Sequence, residues 1–217
     1  MKGPLIWACI ALISFVARML LPYLEGRSNS WWVIPPIIPA DLPVGLFLFL
    51  SCIVLLGYWL QSRITKRHTR LTAAIFFISL LLLGSSFIIY PAKIFHYGFH
   101  SYAKSVLTAD EWRSISQFAQ EHMQPGARLP GPDKPLWNET EHRALWSGLC
   151  AATPIQKLDP SLMIFVSADE TEIVWGSPLT GHRAVIIYSN KSGDNHRSKR
   201  PQYMFVADDI ATGVSAD

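Results

Sequence analysis

His96 and His100 stand four residues apart, the spacing at which two side chains share one face of a helix and can share a metal ion. The zinc-protease pattern needs Glu directly after the first histidine. Tyr97 holds that place here, no third ligand is evident, and packing beside Phe95, Tyr97 and Phe99 is the expected role. Glu139, Glu141 and His142 crowd a predicted helix start. Acids serve the helix dipole there, and an acid/base pair would need further converging groups. Trp175-Gly176 and His182-Arg183 flank a Gly- and Pro-containing turn. An aromatic, a flexible turn and two polar groups at neighbouring strand ends make Trp175, His182 and Arg183 the expected binding residues.

Cys150 is alone outside the apolar segments that hold Cys9 and Cys52. A nucleophile needs a base and an orienting group, and neither can be placed beside it, so burial is expected. Arg18 is the one charge well inside an apolar segment. Such a charge is a functional hypothesis by default. It lies about 9 Å from the Leu24 end at the rise of a helix, and its long side chain can snorkel to the headgroups. The sequence has no phosphate-cradling Gly-rich loop, no Cys-x-x-Cys pair and no Gly-x-Ser-x-Gly elbow. No catalytic residue, metal or cofactor is assigned.

The elements that must position these residues begin with three apolar segments, Leu5 to Leu24, Leu42 to Leu60 and Leu71 to Tyr90. Each is close to the roughly 20 residues that cross a bilayer, and soluble helices normally keep a polar face. No small-x-small cleavage site follows the first, which reads as a retained anchor. Arg63, Lys66, Arg67 and Arg70 fall in the second connection, whereas the first has only Arg27 with Glu25 and Asp41. Cytoplasmic loops carry the excess of Lys and Arg. The expected topology is therefore a multi-pass cell-membrane protein with its N-terminus cytoplasmic. Residues 1–91 would form a three-helix membrane anchor and residues 92–217 an extracytoplasmic α+β domain. Trp31-Trp32 through Pro39 is too apolar for a solvated loop and too rich in proline for a helix, and is expected along the outer interface or under the outer domain.

In the outer part, Lys93 to Ala103 looks helical. Thr108-Ala109-Asp110-Glu111 is a capping box opening a helix that stops before Pro125-Gly126. Asn138 to Leu149 reads as a second helix. Arg128 to Pro135 reads as loop. Leu162 to Ser167 and Thr171 to Trp175 form an expected hairpin. Arg183 to Tyr188 is a third strand, Tyr203 to Ala207 a possible fourth, and the tail after Asp208 is expected to fray. The expected fold is three transmembrane helices, then two helices and a three- or four-stranded antiparallel sheet. Asn138-Glu139-Thr140 and Asn190-Lys191-Ser192 match the glycosylation pattern, and His196 to Arg200 is a short basic run.

Composition narrows the function classes. The chain has 217 residues, half of them apolar and 16% charged, against about 25% in soluble domains. A disordered protein is excluded. The net charge of +3 is unevenly placed: seven basic residues and two acids lie in residues 1–91, leaving twelve basic and fourteen acidic beyond. The basic excess reports topology, and nucleic acid is not an expected partner. The expected partners are the lipid bilayer and a membrane or envelope protein. A membrane-anchored domain that binds such a partner is the favoured reading. A transport-complex subunit using Arg18, or an enzyme on an outer-leaflet or envelope substrate, are the alternatives.

Overall fold

The computed structural model describes residues 2–29, 33–34, 38–39, 41–88, 91–133, 140–177, 181–189 and 203–215. Trp31, Trp32, Tyr90, Asn138, Glu139, the Asn190 acceptor pattern and the His196 to Arg200 run lie outside them. The chain divides into two compact units, Met1–Gly98 and Phe99–Asp217.

The first unit contains α1 (Lys2–Arg27), the strand pair β1 (Val33–Ile34) and β2 (Ile38–Pro39), α2 (Asp41–Thr65), α3 (Thr69–Ile88) and the first half of α4 (Pro91–Val106). Three of these helices are long and apolar enough to cross a membrane. α1 ends where Asn29 turns left-handed (φ 52°), its N–H donating to Gly26 O at 3.0 Å. Asn tolerates that conformation at a helix end better than most residues. Only Lys66, Arg67 and His68 separate α2 from α3. Lys66 and His68 both take positive φ, and the Ser62 and Thr72 hydroxyls bond across the tight connection at 2.7 Å. Ala11, Leu48, Leu55 and Phe76 supply the buried seam.

The second unit holds α5 (Ala109–His122), β3 (Arg128–Pro130), α6 (Glu141–Ala152), a 3-10 turn (Pro154–Lys157), β4 (Met163–Val166), β5 (Glu170–Ser177), β6 (Gly181–Tyr188), β7 (Met204–Ala207) and β8 (Ile210–Ser215). The capping box is present: Thr108 Oγ1 accepts from Glu111 N, and Glu111 Oε2 accepts from Thr108 N at 2.7 Å. Leu107 and Trp112 on either side of the cap are both buried. The C-terminal half of α4 belongs to this unit too, and Trp112 Nε1 donates to Ala103 O at 3.1 Å, tying α5 to it.

The sheet corrects the expected strand count. Among the described residues it has six strands, all pairs antiparallel, in the order β3-β4-β5-β6-β8-β7. The predicted loop at Arg128 contains β3, which pairs Leu129 with Ile164. The predicted frayed tail is β8, inserted between β6 and β7. Helices are also more numerous than the two expected, because α4 is a full helix of sixteen residues.

Strand alternation sorts the side chains. Thr171, Ile173 and Trp175 share one face with their register partners Ile187, Val185 and Arg183. α5 meets that face, where Ser116 Oγ donates to Thr171 Oγ1 at 2.8 Å. On the other face Ala184, Ile186, Tyr188 and Ala211 form a second buried cluster, flanked by Val174, Tyr203 and Phe205. Trp112 and Trp175 are both fully buried. Each contributes about 5 kcal/mol as an upper bound at roughly 25 cal/mol per Å².

Candidate functional site

The predicted binding residues sit where β5 and β6 approach their connection. Trp175 and Arg183 are direct register partners, so their side chains leave the sheet together. The aromatic residues of α4 cover Trp175. Phe99 meets it edge-on at 5.9 Å between centroids, and Tyr102 at 6.4 Å. His100 helps hold α4 in place, its Nδ1 lying 3.1 Å from Thr212 Oγ1 on β8. Thr212 Oγ1 in turn donates to Met204 O at 3.2 Å.

Two electrostatic features mark this corner. Arg183 is 6% exposed. Burial pushes its pKa down to about 10, and the negative charges that Asp159 and Tyr102 carry when ionised partly oppose that shift. Asp159 itself is exposed and accepts from Ser161 N at 2.8 Å. The indole Nε1–H of Trp175 is buried and has no hydrogen-bond acceptor among the described residues. A buried donor left in that state costs about 1–3 kcal/mol and calls for an explanation, of which a functional site is one.

His182 belongs to a different surface. It pairs with Gly176 on β5 and Ser215 on β8, which puts it on the sheet face opposite Trp175 and Arg183. The structure therefore unites two of the three predicted residues and separates the third. Tyr102 and Asp159 complete the surroundings and were not singled out from sequence. Asp159 stands in an Asp-Pro dipeptide, which signals only a turn, and Tyr102 is one of several aromatics on α4.

The remaining candidates are dispersed. Glu141 is exposed and His142 partly buried at the start of α6. His96 is buried on α4. Among the described residues no group of three or more His, Cys, Asp or Glu side chains is arranged to hold a metal. Cys150 is partly buried, and that burial raises its pKa, which keeps it a thiol rather than a nucleophilic thiolate. Arg18 is partly buried in the first unit with its guanidinium over Gly45 of α2. A Cβ at Gly45 would stand 2.0 Å from Arg18 Nη1. The glycine thus provides the space in which the charge crosses from α1 to α2.

No family, curated protein or solved structure matches this chain.

Proposed function

We propose that the chain is a multi-pass membrane protein whose second unit is an extracytoplasmic module that binds a protein or envelope partner. The membrane part of this reading is carried by the outward faces of α1, α2 and α3. No more than 22% of any of their apolar windows is buried. Ile13, Phe47, Ile78 and Leu81 are among the large apolar side chains left exposed, Leu81 by 71%. Water penalises continuous apolar surface of this extent, and a lipid environment removes the penalty. The orientation rests on charge. Arg63, Lys66, Arg67 and Arg70 cluster around the α2–α3 connection, which puts that connection inside and the N-terminus with it. Three crossings then carry the chain out before α4.

The binding part rests on the Trp175–Arg183 corner. It offers a desolvated cation and, beside it, an indole N–H without an acceptor among the described residues. Both favour a carboxylate, phosphate or carbonyl-bearing group over an apolar one. Photo-crosslinking in intact membranes, with the probe at Asp159, is the direct test. A discrete adduct that is lost in Arg183→Gln supports the reading. Labelling that is the same in both proteins overturns it. A reporter fused after Asp217 tests the orientation separately: activity confined to the cytoplasm refutes it.

A further inference from the structure

We propose that the exposed flank of α4 beside the end of α1, formed by Lys93, Tyr97 and Arg27, binds the headgroups of anionic phospholipids. The proposal rests on the membrane reading above and adds the class of lipid. Three observations carry it.

The first is the close contact between α4 and α1. A Cβ at Gly98 would stand 2.1 Å from Tyr23 O and 2.9 Å from Arg27 N. Gly98 therefore lies against the last turn of α1, with Tyr97 beside it and Lys93 little more than one helical turn away along α4. When α1 crosses the bilayer, that turn reaches the headgroup zone, and the first half of α4 is held there with it.

The second is the division of that half into two flanks. Phe95, His96 and Gly98 are buried, while Lys93 and Tyr97 are exposed, Tyr97 by 54%. Lys93 and Tyr97 are four residues apart and so lie on the same side of the helix. Arg27 is also exposed and follows the α1 turn against which Gly98 packs. Tyrosine favours the boundary between hydrocarbon and water, where its ring and its hydroxyl each find a suitable medium.

The third is the sign of the charge. α4 contains no Asp or Glu over its whole length, so the lysine has no carboxylate on its own helix to neutralise it. A cation held at a charged membrane surface is attracted to anionic lipid by about fivefold in affinity. Two such cations beside an interfacial tyrosine select phosphatidylglycerol-like headgroups over zwitterionic ones. This surface uses none of the residues of the Trp175–Arg183 corner and needs no partner protein.

The experiment uses the full chain in nanodiscs of equal phosphatidylcholine and phosphatidylglycerol. The lipids that remain bound on gentle release are identified by native mass spectrometry. The wild type is expected to retain phosphatidylglycerol several-fold over phosphatidylcholine. Arg27→Gln with Lys93→Gln is expected to reduce that preference by about fivefold or more. As a measurement that needs no variant, 0.5 M NaCl is expected to weaken the wild-type preference. Equal retention of the two lipids by the wild type, or a preference unchanged by both the substitutions and salt, overturns the proposal. An alkaline carbonate wash separates the two levels of the argument. Protein released by the wash overturns the membrane reading and the lipid site with it. Protein that stays in the membrane without lipid preference overturns the lipid site alone.

Discussion

Replacing Gly98 with alanine tests the packing of α4 on α1. The added methyl would stand 2.1 Å from Tyr23 O and 2.9 Å from Arg27 N, and both obstacles are backbone. A normal contact at this position is about 3.5 Å, so the two helices must part by roughly 1.4 Å or bend. Overpacking of this kind costs about 1–3 kcal/mol. Alanine recovers about 1 kcal/mol through its better helix propensity, leaving a net loss of about 0–2 kcal/mol, or about 1–3 kcal/mol relative to a glycine replaced in open space. For a chain of this size the latter corresponds to a Tm about 2–12 °C below that of such a control. Gly57 and Gly84, on α2 and α3, are the controls, because a Cβ at either meets nothing within 4 Å. Thermal unfolding in one detergent, followed by circular dichroism, should show Gly98→Ala destabilised and Gly57→Ala and Gly84→Ala unchanged or slightly stabilised. A Gly98→Ala protein as stable as the two controls would refute the close approach and remove the basis for placing α4 at the level of the end of α1.

Three further outcomes are expected in the second unit. Arg113 donates from Nε and Nη2 to the two carboxylate oxygens of Asp209, each at 2.8 Å, and the Asp209 side chain is only 7% exposed. Arg113→Ala removes both of those bonds from a buried carboxylate and should cost about 2 kcal/mol in chemical denaturation, after allowance for the half-exposed arginine. The Glu111 carboxyl is lowered to about 2, chiefly by Lys157 and then by the Thr108 backbone N–H. Its stabilising contribution is therefore complete above pH 4.5 and disappears as pH falls towards 2. Glu111→Gln should flatten the acid limb of the stability curve in that window, and a limb unchanged from wild type would count against it. Truncation after Asp208 removes β8 and with it the pairings to β6 and β7. The truncated protein should lose the protected amides of β6 in hydrogen exchange, whereas a merely frayed tail would leave them protected.

Local signals made much of this fold legible. The apolar lengths located α1, α2 and α3 within a few residues, because nothing but continuous hydrophobicity was needed to define them. α5 was equally clear from Thr108 and Glu111, since a capping box is written in four consecutive residues. β3 and β8 were not. β3 is three residues that include Pro130, set among loop-like neighbours. β8 reads Ile-Ala-Thr-Gly-Val-Ser, with Gly213 seated under the ring of Tyr203 so closely that a Cβ would stand 2.7 Å from it. A strand that owes its place to small residues under a tertiary contact carries little propensity of its own.

The candidate site shows where sequence reasoning stops. Trp175, His182 and Arg183 were recognisable as an aromatic and two polar groups around one turn. Alternation alone establishes that His182 and Arg183, being adjacent on a strand, face opposite ways. It leaves open which of them shares a face with Trp175, because that depends on register. The observed pairing of Ser177 with Gly181 and Trp175 with Arg183 gives the face to the arginine. A slip of one residue would have given it to the histidine and left the arginine, with Val185 and Ile187, on the opposite face. A titrating imidazole beside the indole would suggest proton chemistry near neutral pH. A guanidinium that stays charged in a buried setting suggests recognition of an anion instead. The binding reading, in preference to a catalytic one, thus turns on a single residue of register that no composition or spacing in the chain determines.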